Sequence, residues 1–283
     1  MKGNQVRRVI ISGASSGIGF ALADRFASLG FSVIAIARRQ SLLKQLQKLY
    51  PTKIIPIIAD ITKPDERLKI RASLSAKDTG TILIHNAGMA DPHLIETLSE
   101  QDFDNHCAIN MKAPLFLTQS LLPYLKDGGR VLNISSGLAH TPIPGMSAYG
   151  ISKAALLMMK NYFNAEFKSY NIRCGSAMPG VVDTAIQTRL RTCDSHEFPA
   201  VSTFHGFFQR DELLKPQTAA KFLSWVLLHV DDEQFTQGDW NIYDTWHHPY
   251  WAKPSEIKPR QKTAQELEKE LQQYLENQRV RTP

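Results

Sequence analysis

Cysteine is scarce in this 283-residue chain. There are three, Cys107, Cys174 and Cys193, odd in number and far apart. That spacing excludes a disulfide framework and offers no metal-ligand pattern. Long apolar runs are missing as well: nothing approaches the ~18 apolar residues a membrane-spanning helix needs. The opening Met-Lys-Gly-Asn-Gln leads into an apolar run too short for the core of a secretory signal. A cytoplasmic protein with no membrane attachment is expected. Basic clusters are also lacking. Net charge is +6, yet Lys and Arg are dispersed along the chain, and no nucleic-acid-binding motif accompanies them. What is there is an ordinary globular balance, 43% hydrophobic and 21% charged residues.

Residues 7–12 read as a strand, G-A-S-S-G-I-G follows, and a helix runs from about 18 to 29 with Gly30 closing it. A strand, a tight glycine turn and a helix start make an anion site, because backbone N–H groups and the helix dipole point at a phosphate. Gly13, Gly17 and Gly19 keep Cβ atoms out of the way of a pyrophosphate. Residues 31–37 form a second strand. An acidic residue at its end would bind a ribose 2′-hydroxyl; here Arg38 and Arg39 stand there, and two guanidinium groups suit a 2′-phosphate, so NADP is the expected cofactor.

Further on, a helical stripe over 41–50 is stopped by Pro51, and a strand over 53–59 ends at Asp60. A helix is predicted over 64–77, and a strand over 81–85 leads into Asn86-Ala87-Gly88. Helices are predicted over 99–111 and 113–125, and a strand from Arg130 ends at Ser135 and Ser136. A helix over 149–168, a strand over 171–178 ending at Pro179-Gly180, a helix over 216–229 and a last strand over 236–243 complete the pattern. Between them, 183–213 reads as irregular, with Phe198, Phe204, Phe207 and Phe208. This alternation predicts an α/β fold: a single-domain, doubly wound Rossmann-type parallel sheet of about seven strands with helices on both faces. The domain would span 1–248. Residues 249–283 would be an extension, with a short helix striped by Leu267, Leu271, Tyr274 and Leu275. Ligands bind such sheets beyond the strand carboxyl ends. The glycine turn, the arginines, Asp60, Asn86, Ser136 and Pro179 all fall there.

Tyr149 and Lys153 are four residues apart, hence neighbours on one helix face. A free tyrosine, with a pKa of ~10, is a poor proton donor or acceptor at neutral pH. An adjacent ammonium group is expected to lower that pKa toward the working range. Ser136, at a strand end across the intervening loop, could hold a substrate oxygen against the Tyr149 hydroxyl.

Taken in order, S-G-A-S-S-G-I-G at 12–19, N-A-G at 86–88, Asn110, S-S at 135–136, Y-G-I-S-K at 149–153 and P-G-V-V-D-T at 179–184 make the chain resemble the short-chain dehydrogenase/reductase family over roughly residues 6–245. N-I-S-S-G, K-P-Q-T-A-A and G-D-W-N-I-Y-D are similar to its sepiapterin reductase and benzil reductase subgroup. The resemblance implies that Tyr149 is the general acid of carbonyl reduction. Lys153 would tune it and hold the nicotinamide ribose, Ser136 would bind the substrate carbonyl, and Asn110 would anchor a relay water. It implies cofactor contacts from Ser12, Gly13, Ser15, Ser16, Gly17, Ile18 and Gly19, with Arg38 as the NADP-selecting position and Arg39 beside it. Asp60 and Ile61 would take the adenine, Asn86, Ala87 and Gly88 the adenosine side, and Pro179, Gly180, Val181 and Thr184 the nicotinamide.

Ser12 for the usual threonine, His85 for a common asparagine, and an ending without the usual glycine pair depart from the family pattern. NADPH-dependent reduction of a ketone or dicarbonyl is the expected activity. A ketoacyl-thioester reductase, with Arg189, Arg191 and Arg210 as docking cations, is an alternative; an NADP-binding sensor without turnover is another. A small-molecule carbonyl substrate, no nucleic acid, no membrane and a homodimer or homotetramer through 113–125 and 149–168 are the expected partners.

Overall fold

The apolar runs pair side by side in a computed structural model that describes residues 8–75 and 78–257. The strands are β1 Arg8–Ser12, β2 Ser32–Ala37, β3 Ile54–Ile58, β4 Ile82–His85, β5 Arg130–Ile134, β6 Arg173–Met178 and β7 Trp240–Asn241. They form one sheet in the order β3-β2-β1-β4-β5-β6-β7, every pair parallel. Strand order reverses between β1 and β4, which opens a crevice beyond their carboxyl ends. Central strands are buried on both faces, as parallel sheets require. Pro56 is tolerated because β3 is an edge strand.

The helices are α1 Gly17–Ser28, α2 Gln40–Leu49, α3 Pro64–Ala72, α4 Glu100–Cys107, α5 Ala113–Leu125, α6 Ser147–Glu166, α7 Ala185–Arg191, α8 Val201–Gln209, α9 Pro216–His229 and α10 Asp232–Thr236. Successive strand residues point to opposite faces. Thus Val9 and Ile11 join Leu22, Phe26, Phe222 and Leu223 in one core, with α1 and α9. Ile10 joins Leu83, Leu117, Leu121 and Phe163 in the other, with α5 and α6. Burying each such side chain contributes roughly 1.5–3 kcal/mol, and the two cores fix the sheet between its helical layers.

Four local expectations are corrected. The 183–213 segment is mostly helical, as α7 and α8; Phe204 and Phe207 supply the buried face of α8. The helix from Pro64 stops at Ala72, where Ser73 bonds back to the Ile70 carbonyl through both its N–H and its hydroxyl. The last strand shrinks to Trp240–Asn241. Asp231 caps α10 ahead of it, accepting from the Gln234 N–H at 2.8 Å. The helices on either side of Lys112 run on without a break through a wide π-type turn at Ala108–Lys112. Pro114 has no N–H for the Asn110 carbonyl four residues back, so the helix widens there instead of ending. The stripe at Leu267–Leu275 lies outside the described residues.

Candidate active site

Gly13 and Gly17 adopt φ of +70° and +56°, which side-chain-bearing residues rarely take. A Cβ on Gly19 would stand 2.3 Å from the Gly13 carbonyl oxygen. The turn is braced from β4. Asn86 Nδ2 donates to the carbonyls of Ser12 (2.9 Å) and Gly13 (3.2 Å), and Ser12 Oγ accepts from the N–H groups of Asn86 (3.0 Å) and Ala87 (3.1 Å). Ser12, Gly19 and Asn86 thus give the turn its shape; Ser15, Ser16, Gly17 and Ile18 line the open cleft beside it. At the end of β2 the two arginines part company. Arg39 donates to Ser15 Oγ (2.8 and 3.1 Å) and to Ser16 Oγ (2.5 Å), clamping a cation onto the turn. Arg38 is exposed and faces the charge of Asp60. Burial pushes the Asp60 carboxyl up, but bonds from the Thr62 hydroxyl (2.7 Å) and N–H (3.0 Å) outweigh it and leave the group below its usual range. Ile61 is buried beside it at the same rim.

At the other end, β5 stops at Ile134 and the chain turns so that Ser136 caps the next short turn, accepting from the Leu138 N–H at 3.2 Å. Its hydroxyl also bonds the Tyr149 phenol. Lys153, one helical turn further along α6, is buried and donates to the Ile134 carbonyl at 2.8 Å, with its Nζ 5.6 Å from the centre of the Tyr149 ring. Burial drops the Lys153 pKa to about 8, opposed by the charge of Asp239. The expectation for Tyr149 needs correcting. Burial raises its pKa, and the Ser136 bond offsets only part of that. The neighbouring amine does not dominate, because it is tied to the strand and itself desolvated.

Asn110 lies in the wide turn, 1% exposed. Its Oδ1 accepts from the Met89 N–H and its Nδ2 donates to the Met89 carbonyl, both at 3.0 Å, and to Ser152 Oγ at 2.9 Å. It therefore staples α6 to the loop after β4. Gly88 lets that loop approach: a Cβ there would meet Asn110 Oδ1 at 3.1 Å. His85 fills the position behind, its Nε2 2.7 Å from Thr118 Oγ1. Burial, with the Lys153 charge adding to it, drops the His85 pKa to about 3.

Beyond β6, Gly180 (φ +82°) carries the chain past Ile242, Leu214 and Tyr243, each 2.8 Å from where its Cβ would lie. The Val181 N–H donates to the Tyr243 hydroxyl at 3.0 Å. Thr184 starts α7 and reaches Gly17, so the two ends of the cleft meet across it. Phe204 and Phe207 face the cleft with Leu138, Ile143 and Ile186, while Phe198 is fully buried behind them and Phe208 is exposed.

The cleft measures about 2430 Å³, well above the ~300–1,000 Å³ of ordinary small-ligand pockets, which leaves room for a dinucleotide and a second molecule. Gly13, Ser15, Ser16, Gly17, Ile18, Arg38, Arg39, Asp60, Ile61, Asn86, Ala87, Gly88, Ser136, Tyr149, Lys153, Pro179, Gly180, Val181 and Thr184 all line it. Ser12, Gly19 and Asn110 stand behind the lining. The motifs do not reveal Tyr243, Asp239 or the Arg189–Asp91 ion pair (2.7 Å) that joins the lid to the loop after β4. The polar residues of G-D-W-N-I-Y-D, next to a strand end, were the available signal. Among the described residues no group of three or more His, Cys, Asp or Glu could hold a metal, and no helix is long and apolar enough to cross a membrane.

A family model described as short chain dehydrogenase matches residues 7–194. A benzil reductase ((S)-benzoin forming) of Bacillus cereus is 32% identical over 248 residues, covering 83% of this chain and 98% of its own. Among solved structures, the KRED1-Pglu enzyme superposes with a TM-score of 0.76 at 27% identity, over 82% of this chain and 99% of its own. The angucycline C-6 ketoreductase LanV with bound NADP superposes with a TM-score of 0.69 at 25% identity, over 85% and 95%. A seven-stranded parallel sheet, a braced glycine turn at its switch point and a serine–tyrosine–lysine group across the crevice agree with that match over two thirds of the sequence: this chain is an oxidoreductase of the short-chain dehydrogenase/reductase family.

Proposed function

We propose that the protein uses NADPH to reduce a ketone or dicarbonyl to the alcohol, with Tyr149 as proton donor. The observation that carries this reading is the Ser136–Tyr149 hydroxyl pair on the cleft wall, one helical turn from the buried Lys153. NADPH, when bound, supplies hydride for the carbonyl carbon. Ser136 donates a hydrogen bond to the substrate oxygen and holds it at the phenol. Tyr149 stays protonated at neutral pH because burial raises its pKa, and it gives its proton to the oxygen as negative charge develops there. Lys153, close to its titration point at about 8, replaces that proton. Asn110 keeps α6 and the loop after β4 in register.

The cofactor fits the residues present. A Cβ at Gly13 or Gly19 would strike the Asn86 brace, and one at Gly17 would meet Thr184, so the glycines let the turn keep the tight shape a pyrophosphate needs. Arg39 and Arg38 offer positive charge for a 2′-phosphate. Asp60 and Ile61 would take the adenine, Asn86, Ala87 and Gly88 the adenosine side, and Pro179, Gly180, Val181 and Thr184 the nicotinamide. The NADP of the similar ketoreductase supports the cofactor choice, and the similar benzil reductase supports a diketone. An apolar or aromatic carbonyl compound suits Leu138, Ile143, Ile186, Phe204 and Phe207.

The thioester alternative loses its docking cations: Arg189 pairs with Asp91, Arg210 with Glu212, and Arg191 lies over Phe208. We also propose a cytoplasmic homo-oligomer. Leu115 on α5 and Ile151, Met158 and Tyr162 on α6 leave large apolar groups exposed for a second copy. The test of the chemistry is Tyr149→Phe. It should bind NADPH normally and lose turnover about a thousandfold; substantial residual turnover would refute the assigned acid.

A further inference from the structure

Lys153 and Lys160 lie two turns apart on the face of α6 that meets the sheet. Lys153 Nζ donates to the Ile134 carbonyl (2.8 Å) and Lys160 Nζ to the Gly238 carbonyl (2.7 Å). Asn133, whose Nδ2 donates to the Leu156 carbonyl of α6, sits beneath the same face. Ser135, two residues on, and Ser176, paired with Asn133 across β5 and β6, share that side. Asn133 Oδ1, Ser135 Oγ and Ser176 Oγ are buried without a hydrogen-bond partner. Such atoms are places where ordered water bridges.

Asp239, next to Gly238, belongs to this layer. Its side chain is 6% exposed, and its Oδ1 is buried with no hydrogen-bond partner. Its Oδ2 lies 3.0 Å from His140 Nε2, and the His140 side chain is 47% exposed. The Asp239 charge acts on both Lys153 and Lys160. Beyond the Asp239 charge felt by the lysines, the roles described so far use neither this carboxylate nor this histidine.

Resting on the reductase reading above, we infer that Asp239 and His140 form a path that returns protons from solvent to Lys153 after each turnover. The His140 imidazolium gives its Nε2 proton to Asp239 Oδ2. The carboxyl group turns and passes that proton through the polar layer to the neutral Lys153 amine, which becomes ammonium again. His140, left with its proton on Nδ1, then turns toward solvent and takes a proton at Nε2. One proton enters and one is delivered; no electrons move and no bond other than N–H and O–H changes. The titratable groups that face the path are Tyr149, Lys153 and Lys160 from α6, His85 from β4, Cys174 from β6 and His140 from the loop after Ser136.

Carbonyl reduction by wild type, His140→Ala and Asp239→Asn is followed across pH, in imidazole and in a buffer of matched pH and ionic strength. His140 is at the surface, so its loss leaves the fold intact. The expected result is a several-fold lower kcat for His140→Ala on the alkaline side, an unchanged KM for NADPH, and recovery on adding imidazole. Asp239→Asn should lose kcat in the same range without recovery. Independently of turnover, 15N NMR of the Lys153 side chain in the cofactor-free protein should show the titration midpoint falling by about one unit in Asp239→Asn. A His140→Ala profile identical to wild type and indifferent to imidazole, or an unmoved Lys153 midpoint, would overturn the path. A wild type that turns over no carbonyl compound would instead overturn the reductase reading, which the NMR arm does not depend on.

Discussion

Lys153 is 5% exposed, and His85 is buried behind it with Nδ1 lacking a hydrogen-bond partner. Both pKa values fall, to about 8 and about 3, mainly because burial penalises the charged form. For His85 the folded chain binds no proton between pH 6.5 and about 3 while the unfolded chain does, so stability rises with pH across that window and is lost on acidification. At about pH 5 the loss is roughly 2 kcal/mol. His85→Asn should therefore flatten the acid limb, read as denaturant midpoints at about pH 5 and pH 7 that move closer together than in wild type. Arg39 offers a second residue-scale test. Both arginines are exposed, but the Arg39 guanidinium is already fixed on Ser15 and Ser16. Arg39→Ala should weaken NADPH binding by about tenfold or more and leave NADH nearly unchanged, whereas Arg38→Ala should do less; titration calorimetry with both cofactors checks it.

Elements are held by close approaches that leave no room for a side chain. Gly19→Ala would press a methyl group onto the Gly13 carbonyl, 2.3 Å away. NADPH affinity should fall more than tenfold by calorimetry, and the melting temperature should drop with it. The same elements show what the sequence makes legible. β1, β2 and β4 are apolar runs stopped by glycine, arginine and asparagine, so their positions could be read directly, along with the residues at their ends; the strand order that sets the switch point could not. Gly13 and Ser136 follow for the same reason, each at an element boundary, while Tyr149 and Lys153 follow from their four-residue spacing inside α6. The lid helices could not be read. They are short, and their apolar faces are completed by Leu138, Met146 and Tyr149, which are distant in sequence. Nor could the raised Tyr149 pKa. Spacing places an amine beside the phenol but says nothing of how far both are removed from water.

For the whole molecule, Leu115, Ile151, Met158 and Tyr162 leave large apolar groups exposed on α5 and α6, where the proposed second copy would cover them. A Met158→Glu, Tyr162→Glu double variant should sediment as a smaller species than wild type in analytical ultracentrifugation. Its melting temperature should no longer depend on protein concentration. The wide turn at Ala108–Lys112 also acts at this scale. It lengthens the path of the chain between two anchors: Asn110 on the Met89 backbone, and His106, whose Nε2 accepts from the Asp91 N–H at 3.2 Å. Deleting Ile109 leaves Asn110 and Pro114 at the same spacing, so the turn stays wide, and the lost residue swivels α4 by about 100° relative to α5. His106 would swing off the Asp91 amide while Asn110 stayed in place, and the rim residue that meets Arg189 would lose its moorings. This short stretch should tolerate exchange of one side chain for another far better than a change in its length.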